Sequence, residues 1–462
     1  MSSIFYDDKD LKQLAEVKRF MEYLALVPGV KEEFEQEQQA MLDRYHLDLT
    51  LLDVAMQMPA NGDIRHAKAI HPNRAMEKYI DFMKKKLDWR DELRKRCEPK
   101  NETMQKWRQR QVIRCEGQLG IKNAALIHAP FTVELASGCS IGCHFCGLNA
   151  GKLKKVFIYT EENAVLWRGV LQAAKELLGD SAGYGTCYYA TEPLDNPDYE
   201  KFIADYKECF HRLPQITTAA GTRDIERTRQ LIHEMTEEGD TVYRLSIRSL
   251  EELNLIFDNF TREELILVEL LPQYPEAPSS GFVNAGRLAE EKGEHSGTIA
   301  CLTGFVVNMC DKTIRLTTPT NACAEYPTGE VILCQENFKD ADELAEKMQD
   351  IIKNHMKILI GPKEKLELYP YYSYTTKKDK VMLSTDAFYQ IKFDKPDAIK
   401  SLNLMVPKLM EGTYTKSELT DYLREHEEGG QTAPEYIFWL LNFFWKQGLI
   451  VDHDLYPDGY KG

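Results

Sequence analysis

The sequence predicts an α/β protein, a partial (β/α)6 barrel with a helical domain before it and a winged-helix-like domain after it. Three observations carry this reading. Residues 1–125 show helical periodicity throughout, beginning with Leu11, Leu14, Val17, Phe20, Met21 and Leu24 on one face and Pro28-Gly29 as the stop. From about residue 126 the pattern becomes strand followed by helix, with six strands in all, which implies parallel pairing through right-handed crossovers. Residues 395–462 then read as three helices and a strand.

Each element follows from local chemistry. In the helical domain a second helix spans about Lys31 to Tyr45, and a long charged one follows Pro72 and ends before Pro99. A fourth runs from about Asn101 to Leu119 with Gly120 as its C-cap. This domain either packs as a cap on the next one, or covers the mouth of a site and helps grip a peptide. Cys97 and Cys115 fall in it as core thiols. In the barrel, 126–310, the strands are Phe131–Leu135, Tyr184–Ala190, Gln215–Ala219, Thr241–Ile247, Leu265–Leu271 and Ile299–Val307, and the helices are 161–178, 199–209, 223–238 and 249–257. A site in such a sheet belongs at the C-terminal ends of the strands. Residues 311–394 alternate around Pro-Thr-Gly turns and read as a β-hairpin and helix extension. In 395–462, Thr415 and Glu418 form a capping box for helix Ser417–His426, Pro434 opens helix 434–447, and Leu449 begins a strand. A winged helix there serves either as a packing lobe or as a docking module for a peptide strand. Glu425, Glu427 and Glu428 weigh against DNA.

Composition narrows the function classes. At 462 residues the chain exceeds one ordinary core, and 43% hydrophobic with 28% charged residues is the balance of a globular protein. No run approaches the roughly 18 apolar residues of a membrane span, and the start, MSSIFYDDKDLK, lacks a signal peptide's basic and apolar regions. Eleven cysteines without a secretory signal imply reduced thiols in a cytoplasm. A net charge of −15 argues against a general nucleic-acid binder and suits substrates with basic patches.

The chemistry concentrates in Cys139-Ser-Ile-Gly-Cys143-His-Phe-Cys146, at the end of the first strand. Three thiols at offsets of four and three on one glycine-containing turn can hold three corners of a [4Fe–4S] cube. No fourth cysteine follows nearby, so one iron is left open to a small molecule. A zinc site would want a fourth ligand, and His144 would have to fold its ring back to serve. Loose cytosolic thiols are the remaining alternative.

CxxxCxxC with aromatic Phe145 before the last cysteine resembles the signature of the radical S-adenosylmethionine (SAM) enzymes. That resemblance implies the same partial barrel, a cluster on Cys139, Cys143 and Cys146, and SAM chelating the open iron. Ala190-Thr191-Glu192 resembles loosely the family's Gly-Gly-Glu, keeping the glutamate, which implies Glu192 as a SAM contact; otherwise it starts a helix. Arg244, Ser246 and Arg248 share one strand face, and the resemblance implies SAM contacts from Ser246 and Arg248, whose fork suits a carboxylate. Thr217 and Thr218 line the same cavity. Together CSIGCHFC, CYYATEPLDNPDYE, RLSIRSL and RLTTPTNACAEYPTGEVIL look like the maturases of ribosomally made peptides, and are similar to the polytheonamide-type peptidyl epimerases. This implies L-to-D conversion in a precursor peptide with a leader, and a reducing electron donor of flavodoxin or ferredoxin type. Inversion needs a hydrogen atom returned from the opposite face, which a thiol supplies well. Cys301, Cys310, Cys323 and Cys334 are the candidates, with Cys323 first because it lies in a loop and Cys334 second. The four could instead hold an auxiliary cluster, though they include no close CxxC pair. The rival readings are a crosslinking or C–H-modifying maturase, and a non-catalytic metal-bearing peptide binder.

Overall fold

A computed structural model describes residues 8–58, 64–70, 74–238, 241–279, 281–377, 380–426 and 434–460. Pro72, Glu427 and Glu428, named above, lie outside them. The fold is mixed α/β, with many helices around small sheets and no closed barrel. No helix among the described residues is long and apolar enough to cross a membrane.

The helical region follows the predicted pattern with one break. Asp8–Leu26, Arg74–Arg96 and Glu102–Leu119 are helices, the last begun by the Asn101 side chain accepting from the Met104 N–H (3.1 Å). The expected helix 31–45 is instead two, Val30–Gln36 and Gln38–Arg44, because Glu37 leaves helical geometry at φ −136, ψ 62. Buried Arg108 fastens helix Glu102–Leu119 to the barrel region by donating to the carbonyls of His128 (2.7 Å) and Ile127 (3.1 Å).

Seven strands build the centre: β1 (Ala129–Glu134), β2 (Ile216–Thr218), β3 (Tyr243–Ile247), β4 (Val268–Pro272), β5 (Leu302–Asn308), β6 (Thr313–Pro319) and β7 (Glu330–Asn337). Strands β2, β3 and β4 are parallel neighbours, and the other sheet has the order β7-β6-β5-β1 with β5 and β1 parallel. Two expectations are corrected here. The predicted second strand, 184–190, is not a strand. A bridge from Thr186 to Gln215 and the Val133 N–H to Thr186 carbonyl bond (3.0 Å) join the two sheets into one arc, with side-chain bonds from Thr132 to the Thr186 carbonyl (2.6 Å) and from Tyr188 to Thr217 (2.7 Å). Gly185 explains the tight passage, since a Cβ there would lie 1.8 Å from the Phe131 carbonyl oxygen. The predicted sixth strand, β5, does not follow the fifth around a barrel. It returns to the free edge of β1, so β4 and β7 end the arc. The expected hairpin extension is therefore no appendage, because β6 and β7 continue the β1 sheet through antiparallel pairs.

Directly paired residues share a sheet face, and here the faces differ sharply. Phe131, Val133, Phe305, Val307, Ile314 and Leu316 join the main hydrophobic core. Thr132, Glu134, Val306, Asn308 and Arg315 point to the other side, into the arc. The C-terminal lobe has its own core, in which Val381, Leu383, Leu402, Leu419 and Leu441 meet. Its helices are Pro396–Glu411, Lys416–His426 and Pro434–Lys446, preceded by an antiparallel sheet of β8 (Ser373–Lys377), β9 (Lys380–Ser384) and β10 (Gln390–Phe393). The capping box forms as predicted, with Glu418 accepting from the Thr415 N–H at 2.8 Å. The expected strand at Leu449 is only a bridge between Ile450 and Leu368.

A half-buried ion cluster ties the helical region to the arc. Burial would raise the Glu269 carboxyl, yet Arg244 and Lys86 outweigh it and hold the group down at about 2. This contribution is complete above pH 4.5 and is lost as pH falls toward about 2, amounting to about 3 kcal/mol. Acid melts of wild type and Glu269→Gln should therefore differ fully above pH 4.5 and converge as pH falls from there toward about 2.

Candidate functional site

The cysteine loop leaves the end of β1 and is fastened on several sides. Its start is zipped to 151–153, with the Cys139 N–H donating to the Gly151 carbonyl (2.9 Å) and Leu153 N–H returning to Cys139 (3.2 Å). Asp195, almost fully buried, accepts from the Ser140 N–H (2.9 Å) and hydroxyl, and Arg223 bonds both Ser140 Oγ (2.8 Å) and Asp195 (3.2 Å). From the far side comes a strap around 282–290. Arg287 donates through its guanidinium to the Cys143 carbonyl (2.6 Å) and to the Ala150 carbonyl, and through its N–H to the Cys146 carbonyl (3.1 Å). Asn149 Nδ2 donates to Glu290 (3.1 Å), and the Phe282 ring packs 5.3 Å from Phe145. Gly286, at φ +55, permits the approach, as a Cβ would meet the Cys146 carbonyl oxygen at 2.3 Å.

The thiols are half-buried, and Cys146 accepts the Ala150 N–H at 3.4 Å. An N–H···S bond of this kind is what an iron–sulfur cluster's ligands carry and what tunes its potential. Burial pushes the Cys143 thiol up to about 11, helped by Cys139 and Cys146 beside it and opposed by Arg248. As the side chains stand among the described residues, no three His, Cys, Asp or Glu converge on a point that would hold a single ion.

The residues expected to contact a small molecule flank this loop. Glu192 is 4% exposed, and burial raises its carboxyl against bonds from the Thr218 hydroxyl and the Ala219 (2.9 Å) and Leu194 (3.1 Å) N–H groups. It caps the short turn Pro193–Asp195 and also sits within electrostatic reach of Cys139. Arg248 lies within reach of both Cys143 and Glu192, but its guanidinium is already engaged with Glu252 at 2.8 Å. Ser246 is half-buried on β3, alternating with buried neighbours on the same face as Arg244. Thr217 accepts from the Tyr188 hydroxyl (2.7 Å).

The candidate thiols separate. Cys334 pairs with Leu316 and so faces the helix-packed core, away from the arc; it is not placed to meet a substrate there. Cys323 lies in the β6–β7 turn, where its N–H donates to Tyr326 (3.3 Å). That turn touches the strap, for Gly286 N–H donates to Pro327 (2.7 Å). Cys310 follows β5 and is pushed up to about 11 by burial and Asp311. Cys301 has Arg244, Tyr188 and Tyr189 as its electrostatic neighbours inside the arc. Sequence reasoning missed Asp195, Arg223, Arg287, Phe282 and Arg315. Only Arg315, polar between Ile314 and Leu316 on an alternating strand, carried a readable signal.

No family model matches the chain. It is 34% identical over 367 residues to the uncharacterized protein y4wI of Sinorhizobium fredii, a match covering 75% of this chain and 71% of that protein. Among solved structures, BtrN in complex with AdoMet and 2-DOIA matches at a TM-score of 0.33 and 17% identity, over 49% of this chain and 82% of that one. A likeness so slight establishes neither fold nor chemistry.

Arg287 is the residue on which the loop's position turns. In Arg287→Met, three loop carbonyl bonds become one, and the metal-free thiols should react with iodoacetamide at least tenfold faster than in wild type, a loss of about 1.4 kcal/mol of local closure. Mass mapping of Cys143 and Cys146 reads the difference.

Proposed function

The chain belongs to the family of the Sinorhizobium fredii protein y4wI, and we propose that it is a radical SAM enzyme converting L- to D-residues in a ribosomally made precursor peptide. One observation carries the reading: three half-buried thiols on one externally clamped loop, with no fourth cysteine in the loop. Cys139, Cys143 and Cys146 would hold a [4Fe–4S] cluster, and Phe145, Glu192, Ser246 and Arg248 would contact SAM. When bound, the pair supplies a deoxyadenosyl radical able to take a Cα hydrogen.

The chain's own residues then position and complete the reaction. Glu192 keeps acceptor capacity for an ammonium beyond the bonds it accepts. Arg248 can offer a carboxylate only the donors left over from Glu252, so its role is to balance charge beside Cys143. A thiol returns hydrogen to the opposite face. We assign this to Cys323, whose loop adjoins the strap, with Cys301 as the second choice because its neighbours lie inside the arc. The narrower assignment to epimerases is supported by the sequence motifs quoted above. The C-terminal lobe is proposed to take the leader as an added strand at the free edge of β8 or β10, and a flavodoxin- or ferredoxin-type protein in the cytoplasm to supply electrons.

Anaerobic reconstitution of wild type should load iron and sulfide in equal amounts, and Cys143→Ala should load almost none. With dithionite and SAM the loaded protein should release deoxyadenosine and methionine; failure to do so favours a metal-bearing binder. In D2O, co-incubation with a small peptide encoded beside the gene should place deuterium at Cα and raise the product mass, whereas a crosslinker would lower it. Cys323→Ala should retain deoxyadenosine release while losing inversion; if it still inverts and Cys301→Ala does not, the donor is Cys301.

A further inference from the structure

Arg315 stands apart from every other arginine of the arc. Arg244 is paired with Glu269 and Arg248 with Glu252. Arg315 projects from the inner face of β6, its side chain 18% exposed, and makes no side-chain hydrogen bond among the described residues. Its Nε is buried without a partner. The nearest carboxylate, Glu134, lies 3.6 Å from the guanidinium, beyond hydrogen-bond range. The Nε–H is thus held out of water without an acceptor, the terminal N–H groups make no hydrogen bond among the described residues, and a buried donor of this kind wants an acceptor.

The surroundings decide which acceptor. Glu134 is occupied by the Ala190 N–H (2.9 Å) and Asn308 (3.1 Å), and Glu330 by the Tyr189 hydroxyl (2.9 Å) and Thr317 (2.6 Å). The Tyr189 ring, 5.6 Å from the guanidinium, bridges the two sides. By formal charge, two carboxylates against one guanidinium, the group already carries one more negative than positive charge. A ligand carboxylate would add a second uncompensated charge at low dielectric, whereas a neutral carbonyl oxygen would satisfy the arginine at no such cost. The spare acceptor capacity of the two glutamates in turn suits an N–H group.

We propose that Glu134, Arg315 and Glu330 form a subsite that reads a neutral peptide group, Arg315 donating to its carbonyl and a glutamate accepting from its N–H. The subsite deepens the peptide-substrate reading and rests on it. It needs neither cluster nor SAM to bind.

The full-length protein labelled with 15N-arginine supplies the test. The Arg315 Nε–H resonance is identified by its loss in Arg315→Lys, which keeps the charge that balances the glutamates. N-acetylalanine N′-methylamide and sodium acetate are titrated separately at matched concentration. The amide should shift the resonance saturably and acetate should leave it in place, while in Glu330→Gln, where the charge excess is gone, acetate should shift it too. A resonance moved by acetate in wild type, or unmoved by the amide, overturns the proposal. Because this readout is made without iron, its failure would leave cluster loading and SAM cleavage untouched, and their failure would leave it untouched.

Discussion

Three sulfur atoms can serve one inorganic group only if the loop between them does not collapse onto itself. Within 139–146 the Cys146 N–H donates to the Cys143 carbonyl (3.3 Å), and the loop's other fastenings come from outside it. The protein sends these bonds to other elements: Arg287 takes the carbonyls, Asp195 takes Ser140, and 151–153 takes Cys139. The Ala150 N–H, just beyond the loop, is turned toward the Cys146 sulfur. The strap, the Asp195 turn and the β1 sheet are arranged around that requirement.

The same economy shapes the arc. β1 has an apolar face sealed by helices and a polar face with Thr132 and Glu134, and β6 repeats the division with Ile314 and Leu316 against Arg315. Apolar residues on one face supply the burial that keeps the sheet in place. The opposite face is then free to carry charged groups, each of which would be costly in a core. Glu134 marks the junction, because its carboxylate holds the Ala190 N–H two residues before Glu192.

Much of this was legible. Pro28-Gly29, Asn101, Gly120, the Thr415–Glu418 box and Gly448 set helix ends through purely local chemistry, and the helices stop there. The cysteine spacing placed three thiols on one loop, because offsets of four and three are read directly along the chain. What was not legible was set by contacts distant in sequence. The 184–190 run has strand-like residues, but Gly185 pressed against Phe131 leaves room for one bridge only. The placement of β5 beside β1 depends on pairing that no local pattern reports. Arg287 sits in an unremarkable Asn-Ala-Gly-Arg stretch and acquires meaning only against Cys143. Cys334 looked available near a hairpin end until its pairing with Leu316 showed which way it faces.

The strap carries a consequence for how the polypeptide matures during synthesis. Arg287 meets Cys143 across 144 residues, and Arg223 meets Ser140 across 83. At ribosomal speeds of about 5–20 residues per second, the thiols leave the tunnel several seconds before their fasteners exist. Through that interval they are ordinary exposed nucleophiles, open to oxygen and stray metal. Closure of the loop is therefore a late event, timed by the emergence of residues near 290 rather than by the cysteines themselves.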